Sequence, residues 1–328
     1  MSGLYPLKFT PVFHDKIWGG NRLKTKLNKD YGNLPNCGES WEISGVEGRI
    51  SVVENGFLAG NNLQELVEIY MGDLVGDKVY KKFGIEFPLL IKFIDANQDL
   101  SVQVHPNDEL SKKRHNAYGK TEMWYVVDAE KGALINSGFN QEVTREKYLE
   151  YFEQGKLSDL LLYEEVAPGD VFFIPAGRVH AIGKGVMVAE IQQTSDVTYR
   201  IYDYNRKDEN GNERELHTDL ALDAIQFNYH QDTYKSTCEK EINKSSELVS
   251  CDYFTTNLLE FDKELDKDFY QLDSFIIYMN LNGEFEIEFE EGTVHVGKGE
   301  TVLVPANLEL YKLKPLTSTV NTLEVYIK

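Results

Sequence analysis

Cysteine is scarce in this chain, which contains three cysteines among 328 residues. They are Cys37, Cys238 and Cys251, an odd number with no pair at the CxxC spacing. A disulfide framework or a cysteine-rich zinc site is therefore not expected, and reduced thiols fit better. Reduced thiols are typical of the cytoplasm, where we expect this protein to reside.

Long apolar runs and an excess of basic residues are also missing. No apolar run reaches the ~18 residues of a membrane-spanning helix, and the N-terminal MSGLYPLKFTPVF lacks the hydrophobic segment of a signal peptide. Lysine and arginine total 34 against 54 aspartates and glutamates, which gives a net charge of −20. Such acidity argues against nucleic acid and anionic membranes as partners. An anionic small molecule would need a locally positive pocket.

What the chain does contain favours a mainly β protein. Its length suits about two domains of ~150 residues, and 19 tyrosines and 17 phenylalanines favour strands. Polar and apolar residues alternate in several short segments, which is the pattern of half-buried strands. These segments are 100–105, 122–127, 171–176 and 284–289.

A few helices are expected between the strands. In the first, Asn62 is a candidate cap with Glu65 three positions later, as in a capping box. The polar residues 231–250 lack periodicity and are interpreted as a linker or the edge of a second unit. Helices are predicted over 61–83, 107–118, 144–162 (one helix or a pair) and 218–225.

An internal repeat in the spacing of glycine and proline indicates two related barrels. The first half places Gly169, then Pro175, and five residues later His180. The second half repeats the spacing with Gly299 and Pro305, but Leu310 stands where the histidine would be. We therefore predict a catalytic barrel with helical insertions over 1–230 and a degenerate second barrel, without metal ligands, over 231–328.

A candidate metal site lies in the first half. Gln103 and His105 are two residues apart on a predicted strand, so their side chains share one face, and Lys120 and Glu122 repeat this arrangement. His180 follows a tight turn. Two imidazoles, a carboxylate and an amide oxygen suit a divalent ion with an open position. These ligands are compatible with zinc, Fe(II) or Mn(II). The other histidines (His14, His115, His217, His230 and His295) are interpreted as ordinary surface or core residues.

Further charged residues could act on a bound substrate. Glu190 lies on a predicted return strand and is a candidate proton shuttle, although an ordinary solvated glutamate is equally compatible. Arg200 and Arg206 could bind a phosphate or an enediolate oxygen. The alternative is a salt bridge to Asp196 or Asp203. Lys120, if it points into a barrel, needs an anionic partner.

Several motifs together resemble the type I mannose-6-phosphate isomerases (phosphomannose isomerases) of the cupin superfamily, in their shorter bacterial form. The resemblance runs over most of the chain. The longer matching runs are specific in combination, whereas GESWE alone would be weak. The runs are KIWGG (16–20), GESWEIS (38–44), PLLIKFIDANQDLSVQVHPND (88–108), GKTEMWYV (119–126), PAGRVHAIG (175–183) and EIQQTSDVTYRIYDYNR (190–206).

The resemblance implies two cupin-like jelly-roll β-barrels with a few interposed α-helices. It also implies an isomerase that interconverts mannose 6-phosphate and fructose 6-phosphate through an enediol(ate), with one zinc ion per chain. Residue by residue, the family's zinc ligands match Gln103, His105, Glu122 and His180, and its active-site groups match Arg200, Lys120 and Glu190. Lys92, Trp18 and Arg206 are the candidate substrate-binding residues.

Two other functions share the same barrel. An iron oxygenase of the cupin type also uses two histidines and one carboxylate, but it would depend on oxygen. A non-catalytic sugar-binding cupin would not need all four ligand positions intact. The residues do not decide the oligomeric state or the groups that hold the phosphate.

Overall fold

The computed structural model describes residues 3–207, 211–227 and 234–328. Strands dominate it. In the first range they are β1 Leu7–Thr10, β2 Val12–His14, β3 Glu39–Ser44, β4 Val52–Val53, β5 Leu89–Ala96, β6 Val102–Val104, β7 Glu122–Ala129, β8 Leu134–Phe139, β9 Leu161–Glu165, β10 Asp170–Ile174, β11 His180–Ile182, β12 Val186–Gln193 and β13 Tyr199–Tyr202. In the last range they are β14 Lys235–Thr237, β15 Lys244–Ser250, β16 Thr255–Phe261, β17 Leu265–Asp268, β18 Ile276–Asn282, β19 Phe285–Phe289, β20 Gly292–Val296, β21 Thr301–Val304, β22 Leu310–Pro315 and β23 Val320–Tyr326.

The helices are short and interposed between the strands, as predicted. They are α1 Arg22–Leu27, α2 Leu63–Tyr70, α3 Gly72–Val75, α4 Asp77–Phe83, α5 Asp108–His115, α6 Arg145–Glu153 and α7 Thr218–Ala224, with a 3₁₀ turn at Leu157–Leu160. None of those in the described ranges has the length and apolar character needed to cross a lipid bilayer.

The strands pair into four sheets. Sheet 1 has the order β13-β6-β11-β8-β9, and sheet 2 has the order β14-β10-β7-β12-β5-β3-β2. Sheet 3 has the order β15-β16-β23-β18-β21-β1-β4, and sheet 4 has the order β17-β22-β19-β20. The family resemblance led us to expect a mainly β chain, and this expectation is confirmed.

The buried side chains show that the sheets stack in the order 1, 2, 3, 4. Along β7, Trp124 belongs to a core cluster that includes Ile182 of sheet 1, whereas the neighbouring Met123 belongs to a cluster that includes Leu323 of sheet 3. A third core lies between sheets 3 and 4. Because both faces of sheet 2 are covered, β5 and β12 are buried along their whole length, and their polar residues, such as Lys92 and Glu190, lie inside the protein.

Strand β6 orients the polar pair predicted from its sequence. Val102 and Val104 pack outward against helices α6 and α7, in a cluster that includes Tyr148 and Leu222. Because side chains alternate along a strand, Gln103 points the other way, between sheets 1 and 2.

The predicted helix over 61–83 is divided into α2, α3 and α4. Asn62 and Glu65 form the expected capping box at its start. The chain breaks at Met71, which has a φ of 48°, and at Gly76, which has a φ of 93°. A β-carbon at Gly76 would lie 2.4 Å from the carbonyl oxygen of Asp273, so only glycine allows this close approach between the two halves of the chain.

Of the two interpretations of residues 231–250, the linker is wrong for the described part, whereas the edge of a folded unit fits it. Strand β14 pairs with β10 at the edge of sheet 2, and β15 pairs with β16 at the edge of sheet 3. Edge strands are partly exposed and can carry polar residues on both faces, which removes the alternation. Residues 231–233, His230 and the predicted domain boundary at 230 lie outside the described residues.

The N-terminal segment joins the second half of the chain. Leu7 in β1 lies opposite Leu303 in β21, and Phe9 lies opposite Val53 in β4, so both strands complete sheet 3. The two halves are therefore connected through hydrogen-bonded strands as well as through packed side chains.

Candidate metal centre

Three potential metal ligands meet between sheets 1 and 2. One donor atom from each of His105, Glu122 and His180 lies within 4.8 Å of the others, and all three residues are buried. Glu122 opens β7 and His180 opens β11, while His105 follows directly after β6. Strand ends from two facing sheets therefore bring together residues that are far apart in sequence.

Backbone carbonyls orient both imidazoles. His105 Nδ1 lies 3.0 Å from the Val197 carbonyl oxygen, and His180 Nδ1 lies 2.8 Å from that of Arg178. Each Nδ1 therefore carries the proton and donates it, which leaves a lone pair on each Nε2. These Nε2 atoms lie 3.5 Å and 3.4 Å from the Glu122 carboxylate. Burial also lowers the pKa of His180 to about 3, so this ring is neutral near pH 7.

The unsatisfied atoms of this cluster fit a cation. Glu122 Oε1 and His180 Nε2 are buried and have no hydrogen-bond partner among the described residues. The Lys120 ammonium donates to Glu122 Oε2 and lies 3.1 Å from His105 Nε2. The potential ligand atoms are therefore already in contact with a positive charge. Two neutral imidazoles and a carboxylate are a common set for catalytic divalent metals, including zinc and iron.

Gln103 is adjacent to the three donors. Its backbone lies opposite His180 in β11 and opposite Arg200 in β13. Gln103 also lines a cleft beside this cluster, together with Lys120, which contacts Glu122. Its position is compatible with the predicted fourth ligand.

A glycine turn presents His180. Gly177 has a φ of 90°, and a β-carbon there would lie 2.6 Å from Gln226 Cγ and 2.9 Å from the Ala224 carbonyl oxygen. The Gly177 N–H donates to the carbonyl of His105 at 2.8 Å. The turn thereby connects the two histidines through the backbone, and no larger residue fits without strain.

A cleft of about 300 Å³ is lined by Lys120, which contacts Glu122 and His105, and is rich in cationic side chains. Within the described ranges, three acidic residues line it, Glu39, Glu190 and Asp196. The cleft is therefore locally positive in a chain with a net charge of −20, as an anionic substrate requires. Its lysines and arginines are Lys16, Arg49, Lys92, Lys120, Arg200 and Arg214.

Glu190 is held on two sides. Its Oε2 lies 2.8 Å from Lys92 Nζ, and its Oε1 accepts a hydrogen bond of 2.9 Å from Trp124 Nε1. Burial would raise the pKa of Glu190, but Lys92 and then Lys120 outweigh burial and lower it. The carboxylate is therefore ionised at neutral pH, as a proton acceptor must be.

The two predicted arginines differ in placement. Arg200 lines the cleft, its Nη1 donates to the Glu215 carbonyl at 2.8 Å, and its buried Nε has no partner among the described residues. Arg206 is not among the cleft-lining residues of the described chain; it is paired with Asp203 and donates to the Asp99 carbonyl. The alternative salt bridge thus describes Arg206 but not Arg200. The substrate-binding role of Arg206 stays a prediction that this geometry does not support.

Several cleft residues are not among those that the sequence indicates. Glu39 lies within the GESWEIS run, and its alternation with Trp41 on β3 could have indicated a shared face. His14, interpreted as an ordinary histidine, lines the cleft beside the Trp41 ring at 4.6 Å. Arg49 and Arg214 gave no signal, since both lie outside periodic segments.

Two family models match the chain. Residues 6–141 match the model described as "Phosphomannose isomerase type I, catalytic domain", and residues 244–322 match "Mannose-6-phosphate isomerase, cupin domain". The mannose-6-phosphate isomerase ManA of Bacillus subtilis is 38% identical over 94% of this chain and 96% of its own length. A mannose-6-phosphate isomerase of Streptococcus mutans is 34% identical over 94% of both chains.

Solved structures agree with these matches. The mannose 6-phosphate isomerase from Bacillus subtilis superposes with a TM-score of 0.87 at 32% identity, covering 99% of this chain and all of the other. A phosphomannose isomerase mutant from Salmonella typhimurium superposes with a TM-score of 0.81 at 16% identity, over 99% of this chain and 100% of the other. The second match shows a shared fold.

Proposed function

The chain belongs to the type I phosphomannose isomerase family, and we propose that it interconverts mannose 6-phosphate and fructose 6-phosphate. The observation that carries this function is the combination of the buried His105, Glu122 and His180 donors with a positively charged cleft. The reaction moves a proton between C1 and C2 of the open-chain sugar phosphate through an enediol(ate).

One zinc ion per chain is the cofactor that we propose, held by His105, Glu122 and His180 with Gln103 as a fourth ligand. The unpartnered Glu122 Oε1 and His180 Nε2 support a cation at this position. When bound, such an ion acts as a Lewis acid toward oxygen atoms of the substrate.

Glu190 is the proposed base for the proton between C1 and C2. Its carboxylate is ionised, lines the cleft and is held in place by Lys92 and Trp124. A base in a fixed position transfers a proton more effectively than a mobile one.

Arg200 and Lys120 stabilise negative charge on the enediolate oxygens. Fixed cations aimed at developing charge contribute a large share of the rate enhancement in many enzymes. The unpartnered Nε of Arg200 supports this role, because a buried N–H donor without a partner is costly unless a ligand satisfies it.

Trp18 and Lys92, which also line the cleft, are the proposed substrate-binding residues. The same proposal for Arg206 requires the guanidinium to exchange Asp203 for the substrate. The phosphate of the substrate carries further negative charge. The six lysines and arginines of the cleft can neutralise it.

At the level of the fold, we propose that sheets 1 and 2 form one cupin-like barrel and sheets 3 and 4 a second, degenerate one. The catalytic unit would comprise residues 1–230 and the second unit 231–328, with β1 and β4 extending into sheet 3. A cytoplasmic location is also proposed, and the three cysteines, which form no disulfide, support it.

Metal-loaded protein incubated with mannose 6-phosphate tests this function, with fructose 6-phosphate followed by a coupled assay. We expect turnover that a chelator abolishes and that zinc restores. If zinc-loaded protein gives no turnover, the assignment is wrong, and oxygen consumption and plain sugar binding on the same protein would then separate the two alternatives.

A further inference from the structure

Trp124 contacts two functional groups without reaching the cleft. It is fully buried on β7, two residues after Glu122 and on the same face of the strand. Its indole N–H donates to Glu190 Oε1 at 2.9 Å. Its ring lies edge-on to His180, with centroids 5.3 Å apart and an interplanar angle of 73°.

The backbone register fixes this contact. Trp124 lies directly opposite Glu190 where β7 pairs with β12, so the two side chains leave the sheet together on the face toward sheet 1. Side chains at directly opposite positions are within ~5.5 Å at their β-carbons. The indole therefore reaches the carboxylate without any adjustment of the loops.

The hydrogen bond leaves the carboxylate able to act. An ionised carboxylate has about four lone-pair positions. Trp124 uses one on Oε1, and Lys92 contacts Oε2 at 2.8 Å. The remaining lone pairs are available toward the cleft, which Glu190 lines and Trp124 does not.

We infer that Trp124 is a positioning residue that holds Glu190 at a fixed place relative to the metal ligands. The inference rests on the proposed function, because the place of Glu190 matters to catalysis only if Glu190 accepts the substrate proton. The rigid indole of Trp124 contacts both the proposed base, Glu190, and the proposed metal ligand His180. It therefore fixes the position of one relative to the other.

The substitution Trp124→Phe removes the N–H but keeps an aromatic ring in the same core. We expect kcat to fall by about 10- to 100-fold, the scale of a misplaced reacting group. KM should change by less than about threefold, and the metal content should stay at the wild-type value, since the ligands are not altered.

Phe172→Leu is the matched control. Phe172 lies opposite Trp124 on its other side, in β10, and packs in the same core cluster. No hydrogen bond joins it to Glu190. We expect this variant to unfold at a lower temperature while its kcat per folded molecule stays within about twofold of the wild type.

A double-mutant cycle separates positioning from packing. In a Glu190→Gln background the base is absent, so adding Trp124→Phe should leave kcat nearly unchanged. If Trp124→Phe lowers kcat by the same factor in both backgrounds, Trp124 acts through packing or through His180, and the inference is wrong.

A spectroscopic measurement does not depend on activity. The chain has three tryptophans, so its ¹H–¹⁵N spectrum contains three indole signals, and Trp→Phe variants assign them. We expect Glu190→Gln to shift the Trp124 indole signal, whose N–H donates to Glu190, more than the Trp41 signal, whose N–H donates to Glu39. An unshifted Trp124 signal would overturn the inference. A wild-type protein without isomerase turnover would instead overturn the proposed function.

Discussion

Two buried carboxylates, one in each half of the chain, have contrasting surroundings. Glu324 lies between sheets 3 and 4, where Ser245 and Asn257 donate to its Oε1 and Lys267 and Tyr278 donate to its Oε2. Glu122 lies between sheets 1 and 2, where Oε2 accepts from Lys120 but Oε1 has no partner among the described residues.

This difference distinguishes a purely structural polar cluster from a ligand-binding site. A buried acceptor without a partner is costly, whereas a fully bonded one needs nothing further. Both carboxylate oxygens of Glu324 have hydrogen-bond donors within the chain, so this cluster is a structural part of the core. The Glu122 cluster is incomplete, and a bound cation would complete it.

Removing the Glu122 carboxylate should have the largest effect. In Glu122→Gln we expect metal binding to be lost and turnover to fall by at least about 100-fold, because a metal contributes several kcal/mol of charge stabilisation. Atomic absorption and the coupled assay measure both. Zinc at 100 times its dissociation constant should stabilise the wild type by about 2.7 kcal/mol but not this variant. A variant that keeps one tightly bound zinc and normal turnover would remove the distinction between the two clusters.

Breaking the second cluster should reduce stability alone. Glu324→Leu leaves Lys267 as an uncompensated, largely buried charge, which costs about 3–5 kcal/mol of unfolding free energy. The double variant with Lys267→Met should recover most of this loss. Denaturant unfolding measures the effect, and metal content and kcat per folded molecule should stay unchanged. A fall in metal content would mean that the second cluster is not purely structural.

A smaller effect is expected at the edge of the first cluster. Gln103→Ala should weaken zinc binding by about 10- to 100-fold without abolishing it, since His105, Glu122 and His180 remain. Titration with a competing chelator gives the affinity. Wild-type affinity in this variant would exclude Gln103 as a ligand.

The smallest effect concerns His14 at the cleft wall. Burial lowers its pKa from 6.5 to about 4, so the unfolded chain takes up a proton below pH 6.5 that the folded chain does not. The unfolding free energy therefore falls as the pH drops from 6.5 to about 4. His14→Gln should remove less than about 1 kcal/mol of this acid sensitivity, because the partly exposed ring is screened by solvent. An unchanged pH dependence of unfolding would contradict the shift.

The sequence predicts the parts of the site that depend on local geometry. Because side chains alternate along a strand, the side chain of Gln103 points away from those of Val102 and Val104. Capping residues locate the start of α2. The repeated spacing that ends at His180 and at Leu310 also corresponds to a structural repeat, since each residue opens a strand after a proline-containing turn. His180 is fully buried, whereas Leu310 is largely exposed.

Contacts between distant segments are what local patterns cannot show. The break in the helix at Gly76 depends on Asp273, and the cleft position of Arg214 depends on its pairing with Asp203. The pairing of Trp124 with Glu190 requires the register of β7 against β12. None of these is encoded in the spacing of neighbouring residues.

The pairing of Leu7 with Leu303 has a consequence for how a cell makes this protein. During translation, β1 can pair with β4 early, but its other edge stays open until almost the whole chain has left the ribosome. At 5–20 residues per second this interval lasts roughly 15 to 60 s. An unpaired strand edge can template association with other chains. Slow codons shortly before residue 303 would lengthen this exposure, whereas a complete chain refolding from denaturant has both partners from the start.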